Sequence, residues 1–421
     1  MKRILIRSGM LPTNTYSEYD LLSRDRFGSN NGNLVYQNSI VRTLMTESVE
    51  ILSDNYSSNP NNAKYINNNF DCYVIPLADA FRKEFIPTLK RYTQLINKLE
   101  IPVIVIGVGL KAPYSYDVKK GFEFDNEVKE FVKAVLNKSE IIGLRGKLTA
   151  NYLESLGFIP EKDFTVIGCP SMYTFGRNLK IKEVNLNRDS RVSLNASNIA
   201  TEKVMDFLNE IAIKYSNYFF VPQSYDEFLI NYFGFGRVND VPYNFPKNIG
   251  SKFYKEGKVK YFLNAKTWFD YIKTIDLSIG TRLHGNIVAT INGTPSITIV
   301  HDARMRELAE FHALPSISAE DIQNYDSLID LINDIDFKSV ESIHPKRFDH
   351  FLNFLEKNNL GHIYREKKNV EKAPLDNLME KINFEKPIDT ITNISFEEKV
   401  LRLTKGFEIY TKRQKRLNQK K

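Results

Sequence analysis

The chain has 421 residues, 42% of them hydrophobic and 26% charged, with a formal net charge of +7. That composition excludes disordered and fibrous classes, and the length exceeds one ordinary core, so two domains with extensions are expected. Two cysteines, Cys72 and Cys169, build neither a disulfide framework nor a zinc site by themselves, which fits a reducing cytoplasm.

The opening "MKRILIRSGMLPTNTY" has too short an apolar core for a signal peptide, and no later run is long enough to span a bilayer. The expected location is cytoplasmic, with contact at the inner face of a membrane left open. A basic balance points to an anionic substrate, anionic lipid or nucleic acid. Nucleic acid is set aside, because no Lys/Arg stripe interleaved with aromatics occurs outside the last residues.

Taken in order, "KRILIR" reads as a strand and "FGSNNGNLVYQNSIVRTLMTE" as an Asn/Gly-rich loop entering a helix. "SDNYSSNPNNAKYINNN" reads as polar loop, "DCYVIPLADAF" as strand and loop, and "FIPTLKRYTQLINKLE" as helix. "IPVIVIGVGL" is a buried strand, "NEVKEFVKAVLNKS" a helix and "EIIGLRG" a strand. "KLTANYLESLGF" is a helix stopped at Gly157, before the strand "FTVIGCPSMYTF". Continuous apolar strands alternating with helices predict a parallel α/β sheet covered on both faces.

"GRNLKIKEVNLNRDSR" carries no pattern and reads as a linker, after which the grammar restarts. "RVSLNAS", "NYFFVPQS", "SIG" and "PSITIV" are strands, with helices at "ATEKVMDFLNEIAIKYS", "YFLNAKTWFDYIKT", "NIVATINGT" and "ARMRELAEFHALP". The predicted organisation is an α/β domain over 1–180 and a second over 190–317. A helical segment over 318–365 packs on or bridges them, and a charged connector with a basic amphipathic tail fills 366–421. In the tail, Phe396, Val400, Leu403, Phe407 and Tyr410 share one helical face.

The candidate site lies in "SIGTRLHGNIVATINGTPSITIV", residues 278–300. Here a guanidinium and an imidazole sit at a strand-to-helix junction, the sheet edge where ligands bind in open parallel sheets. Free N–H groups and the positive helix end favour an anion. Arg282 adds a planar fork for carboxylate or phosphate, and His284 can exchange protons near neutral pH. Thr281 and Leu283 belong to the same turn, and Gly285 lets backbone approach a ligand.

Other strand exits supply Arg145, for which an ion pair with Glu154 is the alternative, and Lys111, alternatively a solvated loop lysine. Asn33 suits an acceptor contact or a turn, Gln223 lies where "FFVPQS" ends, and His301 ends "SITIVH". Asp302 reads as a helix cap, and His312 as a cation in its helix's last turn. None of the six histidines has metal-ligand spacing, so no metal is predicted.

The stretch "SIGTRLHGNIVATINGTPSITI" resembles the signature of the polysaccharide pyruvyl transferase family. "NNGNLVY", "PVIVIGVGLKAP", "IIGLRGKLTANYLESLG" and "VIGCPSMY" are similar to its other segments in the same order. Departures are the glycine after Arg145, where relatives usually carry an acid, and Cys169 before Pro170, where Asp is common. The resemblance implies a GT-B-like pair of Rossmann-like domains facing a cleft, with the acceptor on the first and the donor on the second.

It also implies transfer of a pyruvyl group from phosphoenolpyruvate to a sugar of a cell-surface polysaccharide or its precursor, as a ketal. Arg282 would then hold the donor anion and His284 move a proton, and the donor substrate is the only small molecule implied, with no separate cofactor. The acceptor is a glycan, free or lipid-linked, and a homo-oligomer is left open. The competing readings are a GT-B-type nucleotide-sugar glycosyltransferase or sugar-nucleotide epimerase, and a non-catalytic, lectin-like binder.

Overall fold

The computed structural model describes residues 1–367 and 369–419. The first lobe contains β1 (Lys2–Ile6), α1 (Glu18–Ser23), α2 (Gly32–Leu44), β2 (Val49–Ser53), α3 (Ala63–Asn69) and β3 (Cys72–Pro76). It continues with α4 (Ile86–Asn97), β4 (Val103–Ile106), α5 (Asp125–Leu136), β5 (Ile142–Leu144), α6 (Lys147–Ser155) and β6 (Phe164–Val166). Strands order as β2-β1-β3-β4, all parallel, and the β5-β6 pair joins β4 through a bridge from Val108 to Leu144. All five residues of β3 and all four of β4 are buried, as helices on both faces require.

The second lobe runs β7 (Val192–Asn195), α7 (Glu202–Lys214), β8 (Tyr218–Phe220), α8 (Tyr225–Phe233), α9 (Lys252–Lys255) and α10 (Ala265–Ile272). It ends with β9 (Leu277–Gly280), α11 (Leu283–Ile291), β10 (Ser296–Val300), α12 (Ala303–His312) and β11 (Ser316–Ser318). Its parallel sheet orders as β11-β10-β9-β7-β8. The fold is therefore α/β, two Rossmann-like lobes with a helical C-terminal extension.

Several short elements were not foreseen, among them β2, α3 and α8. β2 is an edge strand whose "VEILS" mixes an acid into a short apolar run, so only Ile51 is buried. The stretch 53–69, read as polar loop, contains α3, held by just Ala63 and Ile66 against the core. α8 starts at a capping box: Ser224 Oγ accepts from the Glu227 N–H, and Glu227 accepts from the Ser224 N–H. Ser-x-x-Glu at that spacing is the local signal that marks it.

After β11 come α13 (Leu328–Asp334) and α14 (Ser339–Lys357). α14 returns to the first lobe, where Phe351 stacks on Tyr173 at 4.8 Å and the Asn358 amide donates to the Ile141 carbonyl at 3.1 Å. Beyond α15 (Pro374–Met379), α16 (Phe396–Leu401) passes through a π turn, Arg402–Gly406, into α17 (Phe407–Asn418). This rod docks beside α1 and α8. Arg413 lies over the Tyr225 ring, and Arg416 donates to the Ser23 carbonyl at the end of α1. The docked face carries Arg402 and Gly406, whereas Phe396, Val400, Leu403 and Phe407 are exposed. No helix among the described residues is long and apolar enough to cross a membrane.

Candidate active site

Both sheets point their strand C-termini at one cleft of about 570 Å³, the expected place for a ligand in parallel α/β architecture. One wall carries Arg7 after β1, Asn33 and Tyr36 on α2, Asp79 and Arg82 after β3, Lys111 after β4 and Arg145 after β5. The other carries Gln223 after β8, Thr281 to His284 after β9, and His301 and Arg304 after β10. Of the residues picked from the sequence, all but Gly285 line this cleft. Gly285 lies just behind it, where an added Cβ would come within 2.9 Å of the side chains of Asn195 and Gln223. Its smallness lets Gln223 reach forward.

Arg282 caps α11 from an extended conformation. Its N–H donates to Asn195 Oδ1 at 2.7 Å, its Nε to the Ala196 carbonyl at 3.0 Å, and its Nη2 to Glu227 Oε2 at 2.6 Å. Glu227 is 1% exposed and the Arg282 side chain 12%, so this pair is buried and the guanidinium is already matched by a carboxylate.

Arg145 is different. It is 1% exposed, donates through Nε to the Gly107 carbonyl at 2.9 Å, and stacks over Tyr36 at 5.3 Å. Its Nη2 has no partner among the described residues. The ion pair with Glu154 offered as an alternative is not formed among the described residues. Arg7 is held in the same way, by the Tyr92 hydroxyl and the Pro76 carbonyl with Tyr56 beneath it.

His284, in the first turn of α11, packs against the start of α2. An added Cβ on Gly32 would come within 2.8 Å of its Nδ1, and its Nε2 is 3.9 Å from Cys169 Sγ. Burial, then the charges of Arg145 and Arg304, push its pKa down to about 3, so the imidazole is neutral at pH 7. Burial also lowers His301. Asp79 goes the other way: burial works to raise it, but Arg304, Arg82 and Arg145 outweigh burial and hold it at about 2.

Of the remaining picks, Thr281 Oγ1 accepts from the Ser197 N–H at 2.7 Å and Leu283 packs beside it, buried. The Asn33 amide donates to the Phe27 carbonyl, the turn contact given as its alternative. Lys111 is exposed and 3.6 Å from Glu84. Gln223 Nε2 and His301 Nδ1 are buried without partners. Asp302 does cap α12, accepting from the Met305 N–H at 2.7 Å. His312, in the last turn of α12, is buried and held neutral, its Nε2 accepting from the Cys169 N–H.

Arg7, Tyr36, Asp79, Arg82 and Arg304 were missed. Arg7 closes "KRILIR" just as Arg145 closes "EIIGLRG", so a charged residue at the exit of a buried strand was the available signal. Among the described residues no group of three His, Cys, Asp or Glu side chains is placed to hold a metal ion.

A two-lobed α/β enzyme scaffold with a cationic cleft is thus in place. The sequence matches the family described as polysaccharide pyruvyl transferase over residues 38–303, and the chain belongs to that family. No curated protein matches it by sequence. Among solved structures it is similar to S. aureus MnaA with UDP (12% identity, TM-score 0.45), covering 86% of this chain and 98% of that one. It is also similar to Methanocaldococcus jannaschii UDP-GlcNAc 2-epimerase with UDP-GlcNAc and UDP (14%, 0.44; 85% and 99%). A third is Anabaena Alr3699/HepE with UDP and glucose (11%, 0.42; 85% and 97%). At these identities the likeness is one of fold.

The expectation was phosphoenolpyruvate as donor and pyruvyl ketal formation as the reaction; the solved structures similar to this chain are described instead with UDP and UDP-sugars. Arg282 is ion-paired with Glu227, and burial keeps His284 neutral at pH 7.

Proposed function

We propose that this chain is an enzyme of glycan biosynthesis that acts on a nucleoside-diphosphate sugar, in the manner of a GT-B-type glycosyltransferase or sugar-nucleotide epimerase. The observation that carries the reading is the set of buried donors without partners at one cleft: Arg145 Nη2, Gln223 Nε2 and Arg304 Nε. An unpaired buried donor costs about 1–3 kcal/mol, and a bound anion relieves that cost. Donors on both lobes suit a ligand that spans the cleft, and about 570 Å³ lies within the range of drug-sized sites.

Chemistry at the anomeric carbon of such a donor breaks its bond to the diphosphate, and negative charge grows on the departing oxygen. Arg145, buried, and Arg7, half-buried, both fixed by neutral partners, stabilise that charge. Neutral His284 serves as proton acceptor. A bound diphosphate offsets the field of Arg145 and Arg304 and so raises its basicity. Arg282 acts through position, joining the α11 turn to Glu227. Two buried, reduced cysteines fit a cytoplasmic setting, and a lipid-linked acceptor would bring the enzyme to the inner face of a membrane.

Thermal unfolding tests this reading. UDP, GDP and their sugar conjugates are compared with phosphoenolpyruvate, and at least one nucleotide is expected to stabilise by about 2.7 kcal/mol at a hundred times its Kd. A panel in which no nucleotide or nucleotide sugar shifts the midpoint overturns the proposal, as does a shift with phosphoenolpyruvate alone.

A further inference from the structure

The rod formed by α16, the π turn and α17 presents an apolar flank that the fold leaves uncovered. Phe396 is 75% exposed, Leu403 50%, Val400 44% and Phe407 42%. The flank continues onto the body: Phe407 meets Phe235 at 6.2 Å, and Ile249, beside Gly234, is exposed as well. Stray apolar residues are ordinary on a surface, but a contiguous row is not. The docked face of the same rod is occupied separately, by Arg402 over Tyr232 and Arg413 over Tyr225. Phe407 also packs on the buried Phe233 ring, whereas Phe396, Val400 and Leu403 project outward.

Its charge selects an occupant. Over residues 396–419 the cations are Lys399, Arg402, Lys405, Lys412, Arg413, Lys415 and Arg416, against Glu397, Glu398 and Glu408. Two of those acids are already taken, Glu398 by Arg402 and Glu408 by Lys412. Arg237, two residues beyond Phe235, and Lys247, two residues before Ile249, are exposed as well. Apolar side chains backed by unmatched cations on a surface helix suit insertion at the headgroup level of an anionic bilayer.

We propose that this patch docks the protein onto an anionic lipid surface, with Phe396, Leu403 and Phe407 entering the headgroup boundary and Lys415 and Lys247 facing lipid phosphates. The inference deepens the membrane side of the proposed function and rests on it only for the location of the acceptor. Nucleotide binding in the cleft is read out independently.

The test is co-sedimentation of the full chain with vesicles of phosphatidylcholine containing phosphatidylglycerol, beside pure phosphatidylcholine. Binding to the mixed vesicles, weakened about tenfold or more without the anionic lipid or at high salt, is the expected result. Phe396→Ser with Leu403→Ser should reduce it by about tenfold per side chain, and Lys415→Glu with Lys247→Glu should reduce it while leaving the apolar row intact. All four positions are exposed, so an unchanged thermal midpoint certifies the fold. Failure of the wild-type chain to bind the mixed vesicles overturns the proposal. So does binding that survives both double substitutions, or a concentration-dependent dimer that the apolar substitutions abolish. None of these outcomes alters the nucleotide-binding test.

Discussion

The two walls of the cleft handle positive charge in opposite ways. On the second lobe, Arg282 is met by Glu227 at 2.6 Å and Arg304 by Asp302 at 3.3 Å and Asp79 at 3.5 Å, with the uncharged Gln223 and Thr281 in the same wall. On the first lobe, Arg7 and Arg145 are held by carbonyls and aromatic faces, which fix a guanidinium without cancelling it. The lesson is that the arginine most conspicuous in the sequence is the one whose charge is already used. The cation free to meet a ligand lies across the cleft.

The largest expected effect breaks the neutralised side. Glu227→Ala removes the partner of the Arg282 guanidinium and the carboxylate half of the α8 capping box, and should cost about 3–5 kcal/mol of stability in urea unfolding. A loss under 1 kcal/mol would mean that Arg282 is not neutralised by Glu227 in solution.

A second probe concerns Glu307, which reaches from α12 to the first turn of α6, just behind Arg145. It accepts from the Thr149 N–H at 3.0 Å and from Thr149 Oγ1. Burial raises its pKa to about 7. Because the folded value lies above the unfolded one, its protonated form favours the fold. Its contribution is full below about pH 4.3 and falls as pH rises toward 7, by about 3 kcal/mol at most. Buried His284 and His312, both lowered, act with the opposite sign, losing stability as pH drops below about 6.5. Glu307→Gln should therefore flatten the fall between pH 5 and 7 and leave the histidine limb. Identical profiles for the two proteins would place the Glu307 proton elsewhere.

Arg145→Met sharpens the contrast from the first lobe. It keeps volume and apolar contact with Tyr36 while deleting the unpaired Nη2. Loss of a charged hydrogen bond worth about 1.5–3 kcal/mol predicts roughly 10- to 150-fold weaker nucleotide binding by calorimetry, with stability unchanged or improved. Asp302→Ala, which uncaps α12 beneath Arg304, should cost about 1 kcal/mol and little binding, measured in the same two assays.

Much of this arrangement was legible in the chain. Continuous apolar runs such as "IPVIVIGVGL" and "PSITIV" mark strands covered on both faces, and the restart after residue 191 marks the second sheet. What stayed hidden depends on distance in sequence. Nothing around Glu227 says that it faces Arg282, and β2 and α3 exist because neighbours cover their few apolar residues. The tail's apolar stripe was readable, but not that it would face outward, because Arg402 and Arg413 find aromatic partners on α8. Arg7 could have been found from its place at a strand exit; its lack of a carboxylate partner could not.

The most direct measurement is a crystal structure of the protein with a nucleoside-diphosphate sugar, read at one distance. The account predicts a phosphate oxygen about 3 Å from Arg145 Nη2, with the Arg282–Glu227 pair intact. A diphosphate seated on Arg282 with that pair broken, and Arg145 Nη2 still without a partner, would contradict it.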